Sequence, residues 1–341
     1  MRAVGYRTPG PIDAPDALVD IERPRPVAAG RDLLVEVRAV SVNPVDTKVR
    51  RTAAPEPGEW KVLGWDAAGV VVEAGPDAGR FRPGDEVFYA GALARPGTNA
   101  EFHLVDERIV GRKPRSLDWA EAAAMPLTAI TAWEALFDRL DVHGREVPGA
   151  APAIVIVGGA GGVGSMAIQL ARQLTGLTVV ATASRPETAE WVRGLGAHHV
   201  VDHRQPLAAQ VAALGLGAPA FVFSTTQTDR HLAQIAELIA PQGRMVLIDD
   251  PASLDIGLFK RKSVSVHWEF MFTRSMFGTP DIGAQGELLD EVSRLVDAGT
   301  LRTTLGRRLG TIDAASLMEA HRLLESGTVI GKLVAEGFAA D

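Results

Sequence analysis

Ala153-Ile154-Val155-Ile156-Val157-Gly158-Gly159-Ala160-Gly161-Gly162-Val163-Gly164-Ser165-Met166-Ala167-Ile168-Gln169-Leu170-Ala171-Arg172 is an apolar run, a cluster of glycines and then an amphipathic run. Read in order, it predicts a buried strand, a tight turn and a helix. Gly159, Gly161 and Gly164 occupy the three glycine places of G-x-G-x-x-G, a pattern that gains meaning only between a strand and a helix. In that setting the first glycine permits the turn and the second lets a pyrophosphate approach the backbone. The third brings the helix close to the strand, so that its first N–H groups face phosphate. A plain glycine turn in an α/β domain is the bland alternative. The pattern favours a dinucleotide site at Gly159, Ala160, Gly161, Gly162, Val163 and Gly164.

Downstream of this turn, strand-like and helix-like segments alternate. Thr178–Ala183, His199–Asp202, Phe221–Phe223 and Met245–Ile248 read as strands, with helical runs at Arg185–Leu195 and His231–Ala240. Ser263–Trp268 reads as a strand closing the set. Such alternation predicts a doubly wound parallel sheet. Upstream, Leu33–Val40, Val70–Gly75 and Gly84–Tyr89 are short strands broken by Gly and Pro turns, a β-rich texture. After the closing strand come a helix at about Ala284–Ala298 and a strand-helix-strand stretch to Val334. The expected order is a catalytic domain over residues 1–125, a nucleotide domain over 126–270 inserted into it, and the rest of the catalytic domain over 271–341.

Which dinucleotide is bound depends on the end of the second strand. Folds selective for NAD carry an acidic residue about 20 positions beyond the glycine turn, on the adenosine ribose. Here the strand ends Thr182-Ala183-Ser184-Arg185-Pro186, with no acid before Glu187. Ser184 and Arg185 suit a 2′-phosphate, through charge-assisted bonds of which the guanidinium can make two. The expected cofactor is NADPH; the alternative is a helix-capping Ser and a solvated Arg. Ligands of doubly wound sheets bind at the carboxyl edge, which places Ser224, Thr225 and Asp249, at the ends of later strands, near the ribose and nicotinamide.

The 341 residues carry a formal charge of −7, which argues against nucleic acid or an anionic membrane as the main partner. No apolar run reaches the length of a spanning helix, and no signal-peptide core follows Met1. A cytoplasmic protein without a membrane partner is the expectation. Cysteine is absent, so disulfides and thiolate metal sites are excluded.

Several strings in sequence order resemble the medium-chain dehydrogenase/reductase superfamily, in its zinc-free quinone-oxidoreductase branch and the subgroup called zinc-type alcohol dehydrogenase-like proteins. They are Ser41-Val42-Asn43-Pro44-Val45-Asp46-Thr47-Lys48-Val49-Arg50, Leu63-Gly64-Trp65-Asp66-Ala67-Ala68-Gly69-Val70, Pro126-Leu127-Thr128-Ala129-Ile130-Thr131-Ala132-Trp133-Glu134, the Gly158–Gly164 turn, and His267-Trp268-Glu269-Phe270-Met271-Phe272-Thr273-Arg274-Ser275. The resemblance covers nearly the whole chain. It implies a GroES-like β-rich catalytic domain joined to a Rossmann domain, and a homodimer or homotetramer.

Zinc members of that superfamily have a Cys within the stretch that here reads Asn43 to Asp46, and Gly-His-Glu in place of Gly64-Trp65-Asp66. They add a Cys or Asp near Thr128–Trp133 and a four-cysteine loop that is missing between Phe88 and Phe102. The eight histidines have no zinc-like spacing, and catalytic zinc normally takes three protein ligands. No metal is expected. Without a Lewis acid, hydride transfer to a quinone or an α,β-unsaturated carbonyl is the fitting chemistry, because conjugation spreads the arriving charge.

The resemblance implies that Asn43 lies near the nicotinamide, its amide donating to a substrate carbonyl, with Asp46 as a further catalytic candidate and Lys48 and Arg50 following on the same turn, that Thr128 approaches the cofactor, and that Lys332 reaches the phosphate region. Trp65 and Asp66 replace a metal pair, with Trp65 as a pocket wall. Each has a bland alternative. Asn43 can be a helix cap, Asp46 and Arg50 a surface ion pair, Lys48 and Lys332 solvated, and Trp65 a structural aromatic. Some relatives place a proton-donating Tyr a few residues beyond the Asn; here Thr47 stands there, and solvent or a ribose hydroxyl is left as the proton source. Trp268–Phe272 is either a cleft wall or a subunit contact. A zinc-dependent alcohol dehydrogenase and an NADPH-binding protein with vestigial activity remain the competing functions.

Overall fold

The computed structural model describes residues 1–339. Two compact units emerge, Met1–Ile130 with Phe272–Asp341, and Thr131–Met271. The border expected at 126 moves to 131, inside the helix Pro126–Trp133.

The second unit contains six parallel strands, β1 (Ala151–Val157), β2 (Thr178–Thr182), β3 (His199–Val201), β4 (Pro219–Ser224), β5 (Arg244–Leu247) and β6 (Ser265–Trp268). The helices between them are α1 (Gly162–Leu174), α2 (Pro186–Gly194), α3 (Leu207–Ala213) and α4 (Thr228–Leu238). Strand order is β3-β2-β1-β4-β5-β6, the doubly wound order of a Rossmann sheet, with its reversal of direction between β1 and β4. β1 and β4 lie at the centre, and nearly every residue of each is buried, which explains their apolar runs in place of alternation. Val155, Val180, Val222, Leu232, Ile235 and Met245 share one core. The helix α3 is not legible from periodicity, because seven residues give too short a run for a clear period.

The first unit holds two sheets. One has three antiparallel strands, Val19–Glu22, Arg2–Tyr6 and Lys61–Val62. The other has seven, in the order Leu305–Arg308, Lys332–Glu336, Asp32–Val42, Ala67–Ala74, Glu86–Tyr89, Val110–Arg112, with Phe102–Asp106 also on Asp32–Val42. The 11-residue strand Asp32–Val42 pairs with three others and shifts register twice against Ala67–Ala74, the irregularity that lets a long strand bend. The late strand Lys332–Glu336 returns antiparallel to it, with Leu333 opposite Val42. That register sets Lys332 beside Asn43, the first residue after the long strand. Among the described residues no helix is long and apolar enough to cross a membrane.

Candidate functional site

In the second unit, β1 ends at Val157 and the chain reverses at Gly158, whose φ of +79° lies in the left-handed region. The turn therefore belongs to Gly158, where the sequence reading gave it to Gly159. The Gly158 N–H donates to Thr182 Oγ1 at 3.0 Å. Gly159 serves close packing, since a Cβ there would meet Ala181 Cβ at 3.0 Å. Gly164 has no room for any side chain, because a Cβ would lie 2.3 Å from the Gly158 carbonyl oxygen. Gly161 is different. It caps α1 in extended conformation, and a Cβ there would meet only the Gly158 oxygen at 3.6 Å. Gly161, Gly162 and Val163 keep part of their surface accessible. The amides of this first turn have no preceding carbonyl to pair with, and no acid stands among its residues. The result is an electropositive backbone cradle at the carboxyl edge of the sheet.

Beside it, Ser184 is half-buried after β2 and Arg185 begins α2. The Arg185 N–H donates to Thr188 Oγ1 at 3.1 Å, and its Nε is 2.8 Å from Glu187. Both partners of that ion pair are substantially exposed, so it is worth about 0–1 kcal/mol and yields readily to a stronger anion. Thr225 Oγ1 donates to the Val157 carbonyl at 2.8 Å. Ser224 and Asp249 do something other than the sequence reading expected. Asp249 accepts the Thr228 N–H at 2.8 Å and the Thr228 hydroxyl at 2.5 Å, and that hydroxyl lies 2.7 Å from Ser224 Oγ. Ser224 is fully buried. This chain fastens the start of α4 and engages both side chains there. Thr182 and Thr228 were missed; a threonine at a strand end or helix start is the signal that would have found them.

The first unit contains a buried polar cluster at the junction of Asp32–Val42 and the helix Pro44–Thr52. Lys332 Nζ donates to Asp66 Oδ2 at 3.0 Å, to the Val42 carbonyl at 3.2 Å, and to Asn43 Oδ1 at short range. Asn43 Nδ2 donates to Asp66 Oδ2 at 2.8 Å and lies 3.3 Å from the Trp65 and Ser41 carbonyls. The Leu127 N–H reaches Asp66 Oδ1 at 2.8 Å. All four side chains of Asn43, Asp46, Asp66 and Lys332 are buried.

Two assignments change as a result. The three donors of Lys332 are taken inside this cluster, so none remains for a phosphate. The amide hydrogens of Asn43 are likewise committed, which makes Asn43 a positioning residue in place of a donor to substrate. It stands at the helix N-cap, but the capping bond runs the other way, from the Asn43 N–H to Asp46 Oδ2 at 2.8 Å.

Burial pushes the Asp46 carboxyl up to about 7, against the lowering effects of the Asn43 N–H and Lys332. Its Oδ1 faces the Gly64 amide without a well-formed hydrogen bond. Burial also raises Asp66, with the Lys332 charge opposing. Asp46 does not pair with Arg50. That guanidinium is fully buried, donates to His321 Nδ1 at 3.1 Å and to the Gly10 carbonyl at 2.6 Å, and pairs with Glu325. Trp65 is 1% exposed, its indole edge-to-face with Phe272 at 6.3 Å, so it is a core aromatic and not a pocket wall. Thr128 is buried and donates to the Met125 carbonyl at 3.0 Å. Lys48 is exposed.

This donor set does not fit a catalytic zinc. Asp66 already receives three donors, one of them a cation, and Trp65 has no ligating atom. Among the described residues no group of three or more His, Cys, Asp or Glu is placed to hold a metal ion.

The family model described as alcohol dehydrogenase GroES-like domain matches residues 29–115, and that described as zinc-binding dehydrogenase matches 195–334. A zinc-type alcohol dehydrogenase-like protein of Staphylococcus aureus (strain MSSA476) is 38% identical over 98% of this chain and 99% of its own length. Among solved structures, a "putative zinc-dependent alcohol dehydrogenase protein" of Rhizobium etli CFN 42 is 70% identical, with a TM-score of 0.98 and coverage of 100% and 99%. The quinone oxidoreductase of Coxiella burnetii is 26% identical, with a TM-score of 0.79 and coverage of 98% and 99%.

The glycines of the turn separate stability from binding. Gly164→Ala should lose about 2–3 kcal/mol through backbone overpacking, seen as a lowered Tm. Gly161→Asp should keep its Tm and lose nucleotide binding by calorimetry, because its carboxylate enters the anion cradle. The Asp46 carboxyl makes a pH-dependent prediction. Its folded value of about 7 exceeds the unfolded value of about 3.9, so the folded state binds the extra proton and stability declines as pH rises between these values. Asp46→Asn removes that decline. Urea melts should show the variant gaining on the parent from pH 5 to pH 8; a constant difference would contradict the assignment.

Proposed function

The chain belongs to the medium-chain dehydrogenase/reductase superfamily, and we propose that within its oxidoreductase chemistry this member reduces a quinone or α,β-unsaturated carbonyl with NADPH and without zinc. The observation that carries the reading is the internal ion pair, Lys332 with Asp66 braced by Asn43, of which Asn43 and Asp66 fall in the stretches where zinc relatives carry ligands. A cation already neutralises the one carboxylate of the set, and a second cation placed there would be repelled. A simple carbonyl takes the arriving charge on its oxygen, where a Lewis acid would stabilise it, whereas a conjugated acceptor spreads it over its own π-system.

A bound NADPH supplies the hydride. The chain's own contribution is to hold the pyrophosphate on the first-turn amides of α1 and to read the adenosine end with Ser184 and Arg185. In the other unit, Asn43 and Asp66 keep the Lys332 charge fixed, and Asp46 retains a proton near neutrality. No side chain is assigned as a dedicated acid, and the proton that completes reduction comes from solvent or a ribose hydroxyl. The names of the Staphylococcus and Rhizobium relatives suggest a zinc-dependent alcohol dehydrogenase as the second reading.

We also propose a homodimer formed through β6. This strand lies at the end of the sheet order, and an open edge is a template for pairing with another chain. Glu269, fully buried at its side chain and 2.8 Å from Arg139, anchors the segment that follows. Trp268 and Phe270 on either side are 56% and 46% exposed, which supports a subunit contact for this segment.

Chelator-treated protein should oxidise NADPH with quinones or enones and leave simple aldehydes unreduced. Activity on alcohols or aldehydes that returns only with zinc would favour the second reading. Arg185→Ala should weaken NADPH by about 10- to 100-fold, the value of a hydrogen bond to a charged group, and NADH by less than about 3-fold. Equal losses would remove Arg185 from the coenzyme site. Trp268→Glu should convert a dimer to a monomer in sedimentation equilibrium; an unchanged mass would place the contact elsewhere.

A further inference from the structure

Two histidines meet at the carboxyl edge of the Rossmann sheet. His203 follows β3 in the turn Asp202–Arg204, and His231 lies in the first turn of α4. Their rings are 6.2 Å apart at an interplanar angle of 64°, and both remain partly accessible. The Arg185 charge acts on His203, so the end of β2, the turn after β3 and the start of α4 converge here.

Resting on the NADPH reading, we propose that His203 and His231 extend the Arg185 anion site and take up protons when an adenosine 2′-phosphate binds. Preference for phosphorylated over unphosphorylated dinucleotide then strengthens as pH falls from 8 towards 6.

The electrostatic surroundings fit this role. His203 faces Asp202, which favours its charged form, and Arg204 and Arg185, which oppose it. His231 faces His203 and Arg230, which oppose its charge, and Asp229 and Asp249, which favour it. Several of these carboxylates are already engaged. Asp202 is bound by Arg204 at 2.8 Å and Asp249 by Thr228, while Glu187 holds Arg185. Burial is the largest influence on both rings and holds them below the ordinary histidine value. In the free protein the pair is therefore mostly neutral at pH 7. A phosphate dianion beside the rings reverses the balance by favouring imidazolium, and each proton taken up adds a charge-assisted donor. The effect ends near pH 6, where the phosphate itself gains a proton.

Proton NMR of the histidine ring Hε1 signals reads this directly on the full chain, without turnover. His203→Gln and His231→Gln assign the two signals. The probes are 2′,5′-ADP and 5′-AMP, titrated from pH 5.5 to 8.5. With 2′,5′-ADP both ring pKa values should rise by about one unit or more, a tenfold shift in proton affinity, and with 5′-AMP they should stay within about 0.2 units of the free protein. No rise with 2′,5′-ADP, or an equal rise with both nucleotides, overturns the proposal. The coenzyme reading is scored separately: it fails if 2′,5′-ADP binds no tighter than 5′-AMP, whereas tighter binding with unmoved rings sinks the histidine proposal alone.

Discussion

A backbone contact that admits no side chain sets the geometry of the Rossmann unit. Helix α1 can begin where it does because Gly164 lies against the Gly158 carbonyl, where even a Cβ would be 2.3 Å from the oxygen. That approach aims the first-turn amides of α1 at the carboxyl edge of β1, next to the ends of β2 and β4. The placement of Arg185 beside these amides, and of the histidine pair beyond, follows from the strand order once this contact is made. Core packing of Val155, Val180 and Val222 then holds the strands that carry these loops.

The first unit has its own fixed point in Asp66. A buried carboxylate is costly unless charge and hydrogen bonds meet it, and here a lysine, an amide side chain and a backbone N–H all converge on it. Their arrangement explains how a chain can keep the scaffold of zinc-type relatives with Asn43 and Trp65 among the positions that would carry ligands. The cluster is internally neutral when Asp46 is protonated, a state that its burial favours up to about pH 7. Membership of the superfamily is thus compatible with loss of the metal's ligand set.

Much of this architecture was legible because it is written in local pattern. The apolar run before Gly158 and the alternating strands and helices after it lie within a few residues of what they determine. The misreadings share a different origin. Lys332 lies 289 positions beyond Asn43, and His321 lies 271 beyond Arg50, so neither partner could be inferred from spacing. The i, i+4 rule suggested an Asp46–Arg50 pair, but the Asn43 N–H took Asp46, while His321, the Gly10 carbonyl and Glu325 took Arg50. Ser224 and Asp249 sat at the predicted strand ends, yet a hydroxyl from Thr228 stood between them. The pairing of His203 with His231 depends on the packing of a turn against a helix start, which no single segment encodes.

The central claim is direct passage of hydride from the pyridine nucleotide to a conjugated acceptor with no divalent cation taking part. NADPH carrying deuterium at both C4 positions, incubated with chelator-treated protein and a cyclic enone, tests it by mass spectrometry and NMR of the product. The account predicts one deuterium at the β-carbon of the saturated ketone. Product free of deuterium, or deuterium transfer that appears only after zinc is restored, would contradict it.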